Sequence, residues 1–239
     1  MKPLLYTRLA ASAALTLGLL MGCATPQGAD YQPQRGQSGK DVIWIPTSPE
    51  LVTRMLNMAK VSSQDIVYDL GAGDGIIAIT AAKQFGARAY GIEYNPQMAL
   101  HAQNNVRAAG VADKVSIRQG DIFEEKFDEA TVVTMYLLPH LNLKLRPTLL
   151  KMKPGTRIVS HAFDMNEWEA DEKVSHEYAH AFMWVVPSDV QGRWTLQEVD
   201  SKAQVQLDIE QSFQRIGGSI TERGRKTPLL GAQLRGDKI

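Results

Sequence analysis

The residues best suited to chemistry in this sequence are carboxylates set beside glycines. The stretch "DLGAGDG", residues 69–75, follows the apolar run "DIVY" and leads into "IIAITAAKQFG". A buried strand that turns through glycines into a helix brings backbone N–H groups and strand-end side chains up to a ligand, an arrangement suited to nucleotides. A dinucleotide fingerprint, GxGxxG, uses its third glycine for close packing of helix on strand. Counted from Gly71 and Gly73, that position is Ile76, so the fingerprint fails where packing requires it. Asp69 ends the preceding strand instead. Glu93, in "GIEYNP", ends the next predicted strand. It falls about 20 residues after the loop, where a carboxylate can accept hydrogen bonds from both ribose hydroxyls. Asp121, in "GDIF", ends the third. One acid at a strand end is ordinarily just solvated. Acids at three successive strand ends, beside the glycines, point to one ligand site at the carboxyl edge of a parallel sheet.

Two other groupings carry chemistry. "YLLPH", Tyr136 to His140, follows the fourth predicted strand, with Tyr136 able to orient an acceptor and His140 to take a proton or cap the following helix. "HEYAH", His176 to His180, satisfies HExxH, the zinc-protease pattern. That chemistry needs a helix and a third ligand. The flanking residues are aromatic and β-branched, strand alternation sets Glu177 opposite both histidines, and no histidine follows His180, so a protease is the disfavoured reading even with Glu198 available as a third ligand. No metal site is expected. Cys23 is the single cysteine, which excludes an intrachain disulfide and a cysteine-based metal site.

The elements that must position these residues follow from periodicity. Ser48 and Pro49 open a helix whose Leu51, Met55 and Met58 share a face. Then strands ("DIVYDL", "ARAYGIE", "KVSIRQGD", "ATVVTMYLL", "GTRIVSHAF") alternate with helices ("GIIAITAAKQF", "NPQMALHAQNNVRAAG", "NLKLRPTLLKMK"). That alternation implies an α/β fold, a doubly wound and mainly parallel sheet covered on both faces. From residue 172 to 239 the pattern becomes strand-like alternation, as in "VQLDI", so a small antiparallel β extension is expected, with a hairpin at Gly217 and Gly218. The α/β domain is expected over residues 42–171.

Asp69 with Gly71, Gly73 and Gly75 resembles motif I of the class I S-adenosylmethionine-dependent methyltransferases, whose sheet is Rossmann-like. The resemblance implies that Gly71, Ala72, Gly73, Asp74 and Gly75 let the backbone approach the amino-acid end of S-adenosylmethionine, with Asp69 on its ammonium. It implies Glu93 and the adjacent Tyr94 at the ribose, Asp121 near the adenine amino group and Ile122 against the adenine ring; Thr47 and Ser48, just before the entry helix, are placed to close over the cofactor. The order of motifs from "IPTSPELVTRML" through "DIVYDLGAGDG" and "LRPTLLKMKPGTRIVSHAF" to Trp168 is similar to bacterial relatives of the mitochondrial lysine methyltransferases. Those enzymes modify the ATP synthase c-subunit and the adenine nucleotide translocase. The resemblance implies a protein substrate, with lysine as acceptor. "YLLPH" is not the "NPPY"-type motif used on planar amide or adenine amino groups.

The remaining signals concern location. Lys2 and Arg8 precede the apolar run Leu9 to Gly22, too short to span a bilayer, and "LLMGC" resembles a bacterial lipoprotein signal with Cys23 as the lipidated residue. Residues 1–22 are expected to be a signal and residues 23–41, rich in Gln, Gly, Pro and Ser, a flexible tether. Lysine plus arginine equals aspartate plus glutamate at 26 each, which disfavours nucleic acid as a partner. Membrane attachment through Cys23 is expected, whereas S-adenosylmethionine is made in the cytoplasm. An exported binding module without turnover is the alternative to an enzyme.

Overall fold

A computed structural model describes residues 31–197 and 204–238. The expected signal segment, Cys23, the tether up to residue 30 and Glu198 lie outside the described residues. Ser48 opens α1 (Pro49–Met58): its side chain accepts the N–H of Leu51 at 3.3 Å, and Pro49 fills the first helical position. Along the chain follow β1 (Ile66–Leu70), α2 (Ile76–Phe85), β2 (Arg88–Glu93), α3 (Pro96–Ala108), β3 (Val115–Gln119), β4 (Val132–Met135), α4 (Pro139–Leu149) and β5 (Arg157–His161). Then come β6 (Glu172–His176), β7 (Ala179–Val185), β8 (Gly192–Gln197), β9 (Gln204–Ser212), β10 (Arg215–Glu222) and β11 (Arg225–Gln233).

A seven-stranded sheet runs in the order β3-β2-β1-β4-β5-β7-β6. Strands β1 to β5 pair in parallel, and β7 turns antiparallel to both β5 and β6. Alternation along β1 serves both faces: Val67 packs with Leu51, Ala78 and Ala102 on one side, while Tyr68 and Leu70 pack with Met135, Leu145 and Trp184 on the other. Strand order reverses between β1 and β4, which opens a crevice outside the carboxyl ends of those two strands. The expected doubly wound α/β fold is the one observed.

The structure differs from the sequence reading in three places, each for a local reason. Strands β6 and β7, expected in the extension, extend the parallel sheet, because buried Ala181, Met183 and Val185 on β7 complete the same core. The separate antiparallel sheet therefore holds only β8 to β11, in the order β11-β10-β9-β8. Gly217 and Gly218 lie within β10 at a register shift instead of forming a turn. A Cβ at Gly218 would run into the carbonyl oxygen of Asp208 on β9, so close strand approach is what demands the glycine. The turn that follows β10 uses Arg223 and Gly224, both at positive φ. Finally, residues 36–41 of the expected tether join residues 42–44 in a hydrogen-bonded hairpin: Gly36 N–H donates to Trp44 O at 2.8 Å and Trp44 N–H to Gln37 O at 2.9 Å. Half-buried Val42 and Trp44 give this segment the apolar contacts that a free tether lacks.

The β8–β11 sheet is fastened to the main body through aromatic stacking. Phe213, at the β9–β10 turn, stacks on fully buried Trp168 with ring centroids 6.1 Å apart. Trp184 Nε1–H in turn donates to Trp168 O at 2.7 Å. No helix among the described residues is long and apolar enough to cross a membrane.

Candidate active site

The glycine loop leaves β1 with Gly71, Gly73 and Gly75 all at positive φ (78°, 55° and 83°), a run that side chains rarely tolerate. Gly71 and Ala72 N–H both point to Ile92 O, at 2.9 and 3.0 Å, which ties the loop to the end of β2. Glu93 completes that tie: its Oε2 accepts Gly73 N–H and its Oε1 accepts Asn95 N–H, each at 2.9 Å. Burial raises the Glu93 and Asp74 carboxyls above the ordinary carboxylate range.

Asp69 sits on β1 with 2% of its surface exposed. Its Oδ1 accepts the Thr134 hydroxyl at 2.7 Å, and no cationic side chain among the described residues pairs with it. Burial, reinforced by the charges of Asp74 and Glu93, pushes its carboxyl up to about 7. A carboxylate in that state is stabilised by a cation brought from outside. S-adenosylmethionine, with an ammonium and a sulfonium, has that chemistry, and the donors and acceptors around the loop fit it.

The cavity that Asp69 faces is lined by Thr47, residues 71–74 of the glycine loop, Glu93, Tyr94, Asp121, Ile122 and Tyr136, so it brings together the residues expected to touch the cofactor except Gly75, which turns the chain into α2 behind that wall. Asp121 lies two residues beyond β3 and is differently engaged: Oδ1 accepts Phe123 N–H at 2.9 Å, and Oδ2 accepts the Lys40 ammonium at 2.6 Å. Lys40, and next the Phe123 N–H, hold its carboxyl below the usual range.

At the far end, Tyr136 follows β4 and is joined by Leu137, Leu138, Leu141 and Phe163. Burial raises the Tyr136 phenol, against the opposing charge of Arg35. His140 is not part of this wall. Because α4 begins at Pro139, His140 lies exposed on the first turn of that helix and neither lines the cavity nor caps the helix.

The histidine beside Tyr136 is His161, the last residue of β5, with ring centroids 3.7 Å apart. Its Nδ1 shares a 2.9 Å hydrogen bond with Thr47 Oγ1, and burial lowers its pKa to about 4. Phe163 reaches the cavity through a tight turn at Ala162, whose φ is 68° and across which Phe163 N–H donates to His161 O at 2.9 Å. A non-glycine residue held there costs on the order of 1–3 kcal/mol, the kind of strain that structures keep around sites. Sequence reasoning missed His161, Phe163, Lys40 and Trp44. The available signals were the polar pair Ser160 and His161 directly after the apolar Ile158 and Val159, and a tryptophan following a Gln- and Gly-rich segment.

The zinc-protease pattern dissolves into a hairpin. His176 ends β6, Glu177 (φ 52°) and Tyr178 form the turn, and His180 on β7 binds Ser175 Oγ at 2.8 Å through Nδ1. Among the described residues no group of three or more His, Cys, Asp or Glu side chains is placed to hold a metal.

A doubly wound sheet with a left-handed glycine loop at β1, an acid ending β2 and an unpaired buried aspartate at the crevice defines a nucleoside-binding methyltransferase site. The family model of the ANTKMT methyltransferase domain matches residues 69–172. A protein-lysine N-methyltransferase of Saccharolobus islandicus is 49% identical over 138 residues, covering 57% of this chain and 86% of the archaeal protein. The lysine N-methyltransferase of Mus musculus named for the ATP synthase c-subunit is 27% identical over 129 residues, covering 54% of this chain and 51% of the mouse protein. The crystal structure of an RNA methyltransferase from Salinibacter ruber in complex with S-adenosyl-L-homocysteine superimposes with a TM-score of 0.60 at 46% identity, covering 66% of this chain and all of that one. The chain belongs to the family of the Saccharolobus enzyme and is an S-adenosylmethionine-dependent methyltransferase.

Proposed function

We propose that this enzyme transfers the methyl group to a lysine side chain of a protein. The observation that carries this reading is the contrast within the cavity: carboxylates at the cofactor end, and an uncharged aromatic and aliphatic wall of Tyr136, Leu138, Leu141 and Phe163 beyond it. When bound, S-adenosylmethionine supplies an electrophilic methyl on a sulfonium. Because the displacement is in line, the protein's task is alignment and exclusion of water. Asp69 is assigned to the cofactor's ammonium, Glu93 and Tyr94 to its ribose, and Asp121 and Ile122 to its adenine. A lysine acceptor must be neutral, which at pH 7 costs roughly 4–5 kcal/mol for an amine whose unperturbed pKa is near 10.4. The apolar wall disfavours the ammonium form and so lowers that cost. Tyr136, protonated at neutral pH, orients the amine with its phenolic oxygen, and the released proton passes to water.

The names of the archaeal and mouse relatives support lysine as the acceptor. The Salinibacter relative, described as an RNA methyltransferase, favours a second reading in which the acceptor is RNA. The balance of 26 basic against 26 acidic residues counts against it. We further infer that the chain is lipidated at Cys23 and acts on a membrane-associated protein, so that cofactor supply depends on how much of it is exported.

The deciding experiment incubates the full chain with methyl-labelled S-adenosylmethionine and, in parallel, a membrane-protein fraction and total RNA. Label recovered as methyl-lysine after hydrolysis is the expected result; label released by ribonuclease overturns the lysine reading. Labelled-lipid incorporation that Cys23→Ser abolishes tests the anchor, and equal incorporation in that variant removes it.

A further inference from the structure

One wall of the cofactor cavity comes from outside the matched family domain: residues 37–47 line it, whereas the domain match begins at residue 69. The hairpin of residues 36–44 is closed internally, with Gly39 N–H on Val42 O at 2.7 Å in addition to its two cross-strand bonds. Its contacts with the site are specific. Lys40 Nζ lies 2.6 Å from Asp121 Oδ2 and 4.7 Å from the centroid of the Tyr94 ring, so one ammonium spans the loops that follow β3 and β2. Trp44 sits directly on the glycine loop: a Cβ built on Gly73 would come within 2.6 Å of the indole Nε1. Gly73 is thus glycine for two reasons, its φ of 55° and the indole lying against it. At the start of the segment Tyr31 packs edge-on against His101 of α3, with centroids 6.1 Å apart, and the charge of Arg35 is felt at Tyr136.

We infer that the 36–44 hairpin is the closing wall of the S-adenosylmethionine site, with Lys40 as its latch across Asp121 and Tyr94 and Trp44 as its seal on the glycine loop. A carboxylate has about four lone-pair sites, so Lys40 and Phe123 N–H leave Asp121 able to accept from an adenine amino group as well. Lys40 retains 40% of its side-chain exposure and reaches Asp121 from the solvent side. An ion pair so exposed is weak, and a weak latch suits a site that must release product on every cycle.

The inference does not depend on the acceptor, because the test reads binding of S-adenosyl-L-homocysteine to the full chain by calorimetry and surface-plasmon resonance. Lys40→Met keeps the aliphatic stem and removes the charge. It is expected to weaken binding by about two- to fivefold through faster dissociation. Lys40→Arg is expected to restore most of the affinity. The difference between wild type and Lys40→Met should shrink in about 1 M salt, where the screening length falls to about 3 Å. Trp44→Ala is expected to cost about tenfold or more, since it uncovers the loop itself. Tighter binding in Lys40→Met would mean that Lys40 competes with the adenine for Asp121, and that result overturns the latch. An unchanged dissociation rate in Lys40→Met overturns it equally, and unchanged affinity in Trp44→Ala removes the hairpin from the cofactor wall. Circular dichroism and melting of each variant confirm that a weaker site is not an unfolded one.

Discussion

At the glycine-loop end of the cavity Asp69, Asp74 and Glu93 crowd together, and burial raises all three carboxyls. At the other end Tyr136, Leu138, Leu141 and Phe163 present no charge, and His161 behind them is held neutral. The first environment calls for a cation and the second rejects one. Under the proposed lysine reading, a sulfonium between them lies on a gradient that holds the donor by its positive charge while favouring an uncharged amine as acceptor. The same low-dielectric surroundings serve both ends, and the placement of a few carboxylates decides which behaviour results.

The largest effect is expected where the gradient begins. Asp69→Ala should reduce S-adenosylmethionine affinity by about 100-fold or more in a chain that remains folded, since a buried charge would lose its partner. Asp69→Asn should bind equally poorly and yet be more stable than wild type in the free state at pH 8. The sign follows from the direction of the shift. A carboxyl raised from 3.8 to about 7 on folding holds its proton in the native state across that interval. Its stabilising contribution is complete below about pH 4 and is lost as pH rises through 7. Above that, an ionised, unpaired carboxylate remains buried, and an amide that still accepts the Thr134 hydroxyl removes the penalty, on the order of 4 kcal/mol. Melting at pH 8 checks this; a less stable Asp69→Asn variant would show that the carboxylate is satisfied in the free protein and would end the contrast between the two halves.

The next effect is the pH dependence of cofactor binding. If the cofactor's cations bind the ionised form of Asp69, affinity should rise by up to about tenfold per pH unit below 7 and level off near pH 8, with a proton released on binding. Calorimetry in buffers of different ionisation enthalpy measures that proton. A flat profile from about pH 6 to 8 with no proton released would place the cation elsewhere.

The cofactor half was legible in the sequence because its requirements are local. The left-handed glycines and the acid ending β2 occupy positions that the strand–loop–helix pattern fixes within a few residues of chain. Asp121, two residues past β3, was found by the same logic, although its partner Lys40 was not. The half proposed for the acceptor was legible only at Tyr136, and its other members escaped because they are assembled across the fold. His161 on β5 meets Tyr136 after β4 and Thr47 before α1 only when the sheet is complete, and nothing in "SHAF" announces two partners so distant in sequence. The assignment of β6 and β7 failed for a related reason: alternation identifies a strand without naming its neighbour.

A smaller effect, and one that tests the acceptor half directly, is expected at Tyr136. Tyr136→Ala should lower the rate of methyl transfer by about 10- to 100-fold while S-adenosylmethionine affinity stays within about twofold, the signature of a misplaced acceptor. His161→Ala should do the same more weakly, because His161 acts by holding the Tyr136 ring and the Thr47 hydroxyl. A common loss of cofactor affinity in both variants would show that the two halves are a single binding unit.

The smallest effect belongs to His140, and it is informative for being small. On sequence grounds His140 is the residue to take a proton, since it follows the fourth strand at the position where acceptor contacts gather. Its place on the solvent side of the first turn of α4, outside the cavity, removes it from that role. His140→Ala should change the transfer rate by less than about twofold and stability by no more than about 0.5 kcal/mol, as for other exposed substitutions. Under the lysine reading, the acceptor's proton then passes to water without a side-chain base. Transfer in Tyr136→Phe should accordingly retain the wild-type pH profile, because no side chain titrates in its path. A profile in which the His140→Ala substitution shifts the rising limb would mean instead that the acceptor crosses the start of α4 and that His140 takes the proton after all.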